Sequence, residues 1–251
     1  MKKVIDRFSE QAAGYLLYRP LYPNDLILDI LSYVENRQCF WDCATGNGQI
    51  ASELARYFNE GYGTDISEEQ LKYAIPRSNV IYKKERAEKT KFHHNQFDLV
   101  TVAQAVHWFD FKTFNKEVKR VLKPNGVLAI IGYDLLRSSP EINLLIDEFY
   151  YEVIGPYWDK QRQHIDHHYQ TVTFNFDEIE YVKQRYITVN WTINELGGYF
   201  ETWSSVQNYL KEKPRTKPVK ELIQKIEPYW GNKEKKEFKF PIFMRIGKNK
   251  K

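Results

Sequence analysis

The chain has 251 residues, 42% hydrophobic and 28% charged, with a formal net charge of +4. That length and composition suit one large globular domain, and so mild a charge does not demand a nucleic-acid partner. No apolar run follows the opening Met-Lys-Lys and none reaches ~18 residues, so neither a signal peptide nor a spanning helix is expected, and a cytoplasmic location is.

The N-terminal stretch "IDRFSEQAAGYLLY" reads as helix, broken at Arg19-Pro20 and again at Pro23. Alternating strand and helix patterns follow. "QCFWDCA" (38–44) is a short buried strand, and "GQIASELARYF" (48–58) places Ile50, Leu54, Tyr57 and Phe58 at helical spacing. "GYGTD" (61–65) is a second strand. Ser67 then starts a helix, with Glu68 and Glu69 in its first turn. Strands are expected at 80–84 and 97–104, a helix at 111–122, a turn at Pro124-Asn125-Gly126 and a fifth strand at 127–133. This rhythm argues for a mostly parallel, doubly wound sheet with helices on both faces and ligands at the carboxyl ends of its strands. Asp42, Asp65 and Gln104 all fall at such ends.

The second half changes character. Residues 140–170 read as irregular helix rich in Tyr and His, and 180–191 as a long strand. Residues 193–213 read as helices broken at Gly197-Gly198, and 219–230 as a further helix. The segment 238–247 is a last strand, where Pro241 suggests an edge or a bulge. Aromatic residues make up 16% of the chain, enough for an aromatic-walled pocket or simply for the core. Cys39 and Cys43 stand roughly 13 Å apart on an extended segment, too far for a disulfide. Two free thiols fit a reducing compartment.

The loop in "FWDCATGNGQIA" (40–51) carries the chemistry. Gly46 and Gly48 permit unusual backbone angles, and the helix that follows offers unpaired N–H groups to an anion. Gly46, Gly48 and Ala51 also satisfy the dinucleotide fingerprint, and Asp65, 19 residues after Gly46, suits a ribose in either a nicotinamide dinucleotide or S-adenosylmethionine. Asp42 tilts the choice. A buried carboxylate needs a cationic or donor partner; a ligand ammonium supplies one and a pyrophosphate does not.

The ordered set "FWDCATGNGQIA", "GTDIS", "RAEKTKF", "FDLVTVAQAVHWFD" and "RVLKPNGVLAI" resembles the class I S-adenosylmethionine-dependent methyltransferases. "AQAVHWFD", "YLLYRPLYP" and "YFETWSSVQNYL" are similar to the trans-aconitate methyltransferase-like small-molecule group. The resemblance implies a Rossmann-like seven-stranded fold in a single domain. Its parts would be N-terminal lid helices (1–36), a cofactor-binding core (37–133), a substrate cap holding one core strand (134–235), and a last strand with a basic tail (236–251). It implies S-adenosylmethionine as cofactor, with Asp42, Ala44, Gly46 and Gly48 along its methionine half. Asp65 would hold the ribose, Ile66, Ala87 and Glu88 would flank the adenine, and Gln104 and Ala105 would lie beside the sulfonium. Glu88 is followed by Lys89-Thr90-Lys91-Phe92 where the family has Leu-Pro-Phe, which weakens that match. Tyr15, Tyr18 and Arg19 match an N-terminal lid, with Tyr18 and Arg19 toward the cofactor and Tyr15 toward the substrate.

Methyl transfer from a sulfonium needs alignment and exclusion of water more than activation. His107 is the candidate base, unless Asp110 merely orients it. Trp108, Trp203 and Arg137 are candidates to line the acceptor site, Tyr199 could face the same pocket as Trp203, and Arg162 and His164 could recognise an acidic acceptor. His164 and His168 stand at i, i+4, but no glutamate base lies between them, so no metal is expected. No phosphate-binding P-loop, no Gly-x-Ser-x-Gly elbow and no Cys-x-x-Cys pair occurs. The expectation is methyl transfer to a carboxylate or hydroxyl oxygen of a small molecule, without a nucleic-acid or membrane partner. The rivals are a nicotinamide-dependent oxidoreductase, a cofactor-binding protein without catalysis, and an RNA methyltransferase.

Overall fold

The structure, a computed structural model, describes residues 18–250. Eight strands form one mixed sheet: β1 Cys39–Cys43, β2 Glu60–Asp65, β3 Val80–Lys84, β4 Phe97–Ala103, β5 Leu122–Tyr133, β6 Asp177–Ile179, β7 Arg185–Trp191 and β8 Lys236–Lys248. Their order is β3-β2-β1-β4-β5-β8, and both β6 and β7 pair with the outer side of β8. Pairing is parallel from β3 to β5, and β8 runs antiparallel to β5, β6 and β7. Because β6 meets Ile246–Lys248 and β7 meets Lys236–Ile242, the eight strands fill seven sheet positions, as the expected fold requires.

Side chains alternate across this sheet and build two cores. Phe40, Leu99, Ala129 and Ile131 face one side, with α1 (Asn24–Leu31), α2 (Gln49–Leu54) and the later helices; Trp41, Val100, Leu128 and Ile130 face the other. The short α3 (Glu68–Lys72) is capped by Ser67, whose hydroxyl accepts the Gln70 N–H. Helix α4 (Phe111–Val121) starts at Asp110, which accepts the Thr113 N–H, and buries Phe114, Val118 and Val121 on the second face. Beyond β5 come α5 (Pro140–Glu148) and α6 (Gln163–Asp166); after β7 come α7 (Ile193–Glu201), α8 (Ser204–Glu212) and α9 (Pro218–Ile226). No helix among the described residues is long and apolar enough to cross a membrane.

Three local expectations change. The turn at Pro124-Asn125-Gly126 does not separate α4 from the strand but loops out within β5, where pairing with β4 jumps from Phe97–Leu122 to Leu99–Val127. Asn249, far away in sequence, holds it. Asn125 N–H donates to the Asn249 carbonyl at 3.0 Å, and the Asn249 side-chain amide donates to Leu122 O at 3.2 Å. Helix α7 runs unbroken through Gly197-Gly198, and Gly198 makes room for a neighbour: a Cβ there would stand 2.5 Å from the Tyr18 ring. The break falls at Thr202-Trp203 instead. Pro241 lies between β5 and β7 rather than at an edge. The bulge does occur there, since residues 134–136 face only 240–241 between the Tyr133–Ile242 and Arg137–Lys239 pairs.

One buried carboxylate fastens α1 to the β7 edge. Asp29, 4% exposed, accepts from Arg185 Nε at 2.8 Å, Lys183 Nζ at 2.7 Å and the Tyr181 hydroxyl at 2.9 Å. Burial alone would raise its pKa, but these three donors outweigh it and hold the group at about 2. A carboxyl depressed in the fold stabilises above its unfolded pKa and loses that contribution as pH falls toward 2. Asp29→Asn is therefore expected to cost about 2 kcal/mol at pH 7. In urea titrations the gap from the parent protein should narrow between pH 4 and pH 2.

Candidate active site

The glycine loop leaves β1 through Ala44, Gly46 and Gly48, all in the left-handed region at φ 54°, 56° and 78°. For Ala44 this conformation carries strain, which the surroundings hold in place. Asp65, at the end of β2, is the tie. Its two carboxylate oxygens accept the Gly46 N–H and the Ser67 N–H, each at 2.9 Å, so the ends of β1 and β2 share one anion.

Asp42 finds its donors inside the chain. It is 2% exposed and accepts from the Thr45 hydroxyl, from the Thr101 hydroxyl at 2.7 Å and from the Ala51 N–H at 3.2 Å. Those donors belong to the loop, to β4 and to α2, so one side chain registers three elements. Burial pushes its carboxyl up to about 6 against the three hydrogen bonds, and the nearby charge of Asp65 adds to the rise. The glycines also differ in role. A Cβ on Gly48 would lie 2.5 Å from the Tyr82 hydroxyl, whereas one on Gly46 would meet only Gln70, at 3.7 Å. Gly48 thus makes room for Tyr82, and Gly46 supplies the φ and the N–H that Asp65 reads.

Beyond β2 and β3, Ile66 is half-buried and Ala87 buried. Glu88 reaches the start of α4, where one oxygen accepts the Asp110 N–H at 3.2 Å and the other pairs with Arg86 at 3.3 Å. At the end of β4, Gln104 takes φ 52°; Ala105 leads into a single tight turn, Val106–Trp108. The Gln104 amide donates to the Tyr133 carbonyl at 3.0 Å, and its oxygen accepts the Tyr169 hydroxyl at 3.2 Å. His107, 5% exposed, sets Nδ1 3.2 Å from that hydroxyl and stacks on the Tyr169 ring. Tyr169 therefore orients His107, while Asp110 caps α4. Burial and the neighbouring charges of Arg162 and His164 hold the His107 pKa well below its ordinary value. Trp108 lies half-buried against the His107 ring.

Residues 18–22 and the region after β5 meet at the end of β5. Arg19 donates to the Tyr133 hydroxyl at 3.0 Å and faces the Tyr199 ring at 5.5 Å. Tyr18 packs on Gly198; Tyr15 lies outside the described residues. Arg162 spreads over the Trp158 ring at 4.6 Å and donates to the Tyr150 hydroxyl at 3.2 Å. It lines a cavity of about 250 Å3 with Asp134, Arg137, Tyr150 and His168. Arg137 is paired to Asp147 at 2.7 Å, and Trp203 packs behind Tyr150, Trp158 and Tyr199 in the core. The three histidines of "HIDHH" diverge: His164 meets Thr171, His167 the carbonyl of Gln163, and His168 Nε2 lies 3.0 Å from an Asp134 carboxylate oxygen. Among the described residues no cluster of His, Cys, Asp or Glu could hold a metal.

Tyr133, Tyr150 and Tyr169 line this region without having been singled out from the sequence, whereas Tyr199, expected beside Trp203, faces Arg19. Tyr133 could have been found as a polar-tipped residue ending a buried strand. The others come together only through the cap. A mostly parallel sheet with a left-handed glycine loop after β1, an acidic residue ending β2 and a cavity beyond β5 is the arrangement of an α/β protein that holds a nucleoside cofactor.

Comparison with known proteins names the class. Residues 41–130 match the family model for a methyltransferase domain. A Dictyostelium discoideum protein provisionally named a methyltransferase is 32% identical over 98% of this chain and 96% of its own. The structure of a protein from Anaeromyxobacter dehalogenans, provisionally named a type II methyltransferase, superimposes with a TM-score of 0.86. It is 30% identical and covers 93% of this chain and 99% of its own. A Haemonchus contortus phosphoethanolamine N-methyltransferase, solved with S-adenosyl-L-methionine, shares the fold at a TM-score of 0.50 and 18% identity, over 98% of this chain and 61% of its own. The chain belongs to the methyltransferase-domain family and is an S-adenosylmethionine-dependent methyltransferase.

Gly48→Ala tests the loop. It combines a positive φ with a contact against Tyr82, so a loss of more than about 1 kcal/mol is expected by thermal or urea denaturation. Tyr82→Ala in the same chain should relieve the contact but not the backbone strain, recovering only part of the loss.

Proposed function

We propose that residues 42–48 and Asp65 hold S-adenosylmethionine, and that its methyl group passes to an oxygen of a small anionic acceptor. The cofactor half of this reading is supported by the family and by the shared fold of the Haemonchus enzyme, which carries S-adenosyl-L-methionine. Gly46 and Gly48 would let the backbone approach the methionine half. Asp65 would receive the ribose hydroxyls, Ile66, Ala87 and Glu88 would flank the adenine, and Gln104 and Ala105 would stand near the sulfonium. The segments 1–36 and 134–235 would act as lid and cap around the acceptor.

The observation that carries the acceptor class is Arg162. Among the described residues it forms no ion pair; its guanidinium rests on Trp158 and donates to a tyrosine hydroxyl beside the 250 Å3 cavity. Asp166 is its neighbouring carboxylate, but it is reached only through the shared Tyr150 hydroxyl, which donates to it at 2.8 Å, so a guanidinium beside the cavity with no direct ion pair favours an anionic ligand. Arg19, held by Tyr133 and Tyr199, adds a second guanidinium to the same region. Incubating the protein with methyl-tritiated S-adenosylmethionine and a panel of small carboxylic and hydroxy acids tests the reading. Turnover on an acid, lost at least tenfold in kcat/KM in Arg162→Met, is expected. Turnover confined to uncharged acceptors would exclude the anionic class.

Asp42 gives a pH signature. With its free-state pKa at about 6, the carboxyl is protonated in mild acid, while a ligand ammonium near the loop would favour the ionised form. S-adenosylhomocysteine should therefore bind about tenfold more weakly at pH 5 than at pH 7.5 by calorimetry. Asp42→Asn should flatten that dependence.

A further inference from the structure

The hydrogen bonds around His107 determine which of its nitrogens carries the proton. The Tyr133 carbonyl can only accept, so the group that Gln104 turns toward it at 3.0 Å is the NH2 of the amide. The Gln104 oxygen therefore faces Tyr169, at 3.2 Å. That oxygen can only accept, so the Tyr169 hydroxyl spends its single proton there. The same hydroxyl then has only lone pairs for His107 Nδ1, 3.2 Å away, and Nδ1 must donate. A neutral imidazole with its proton on Nδ1 keeps the lone pair on Nε2, which has no hydrogen-bond partner among the described residues.

We infer that Gln104 and Tyr169 are positioning residues that lock His107 as the Nδ1–H tautomer and so set Nε2 as the general base for a hydroxyl acceptor. The base role rests on the methyl-transfer reading above; the tautomer lock does not. The step balances. As the acceptor oxygen forms its bond to the methyl carbon, the C–S bond breaks and its electron pair stays on sulfur, leaving neutral S-adenosylhomocysteine. The hydroxyl proton moves to Nε2, so the positive charge of the sulfonium becomes that of the imidazolium. A carboxylate oxygen would need no such base. The groups facing His107 are consistent with a ring neutral before reaction: Tyr169 and Gln104 below it, and the charges of Arg162 and His164 on the adjoining cap. The Tyr169 turn is itself fixed. His168 and Tyr169 both take positive φ, and Arg245 from β8 donates to the Tyr169 carbonyl at 2.9 Å.

Histidine-selective 15N NMR on the whole ligand-free protein tests the lock, with the His107 signal assigned by its loss in His107→Gln. The expected pattern is Nδ1–H in a neutral ring, with protonation displaced to lower pH than in a free imidazole. In Gln104→Leu the Tyr169 hydroxyl has lost its acceptor and should donate to Nδ1, inverting the tautomer to Nε2–H. Tyr169→Phe, which removes only the hydroxyl, should also shift the population toward Nε2–H and serves if Gln104→Leu does not fold. A merely structural contact would not invert the tautomer. Nε2–H in the parent protein, or an unchanged tautomer in a folded variant, would overturn the inference. Calorimetry with S-adenosylhomocysteine is the separate control: a protein showing Nδ1–H that binds no S-adenosylhomocysteine would refute the cofactor reading and the base role with it, and leave the lock standing.

Discussion

The site depends on two carboxylates at adjacent strand ends. Asp42 is buried and takes its hydrogen bonds from the loop after β1, from β4 and from α2. Asp65 takes the loop N–H of Gly46 on one oxygen and the Ser67 N–H on the other. Together they fix the path of a backbone that makes three left-handed turns within five residues, Ala44 to Gly48. Buried carboxylates are tolerated only when their lone pairs are satisfied. The loop is thus shaped by the groups it must hydrogen-bond, before any ligand is considered. This also changes what Asp42 argues. Its need for donors is met by the chain, so its identity alone does not select a cationic ligand; the family and the fold carry that conclusion.

The acceptor side is built by a different principle. Aromatic rings support guanidinium groups that would otherwise be costly to enclose: Trp158 and Tyr150 under Arg162, Tyr199 beside Arg19. Hydroxyl groups at the tips of three tyrosines then tie side chains together: Tyr133 accepts from Arg19, Tyr150 links Arg162 to Asp166, and Tyr169 links His107 to Gln104. Much of the high aromatic content is therefore neither plain core nor plain pocket wall. Trp203 shows the division: it packs against Tyr150, Trp158 and Tyr199 and stiffens the residues that approach the cavity.

The sheet was largely legible because its signals are local. β1 to β4, the Ser67 cap and the amphipathic α4 follow from short-range pattern, and the glycine loop from its spacing. What was not legible depends on distant partners. The loop within β5 looks like an ordinary turn until Asn249 is brought beside it. Gly197-Gly198 looks like a helix break until Tyr18 packs on it. His107 was a candidate from its place after β4, but its orienting partner, Tyr169, is 62 residues further on and belongs to the cap. The donors to Asp42 divide in the same way: Thr45 is close enough to guess, Thr101 is not.

The central claim is that this strand-end loop holds an S-adenosyl cofactor rather than a nicotinamide dinucleotide. Isothermal calorimetry of the full chain with S-adenosylhomocysteine, beside NADH and NADPH under the same conditions, tests it most directly. The account predicts saturable one-to-one binding of S-adenosylhomocysteine and none of either nicotinamide, with Asp65→Ala weakening the former by about 1.5–3 kcal/mol through lost charged hydrogen bonds. Binding of a nicotinamide cofactor alone, or S-adenosylhomocysteine affinity unchanged in a folded Asp65→Ala protein, would contradict it.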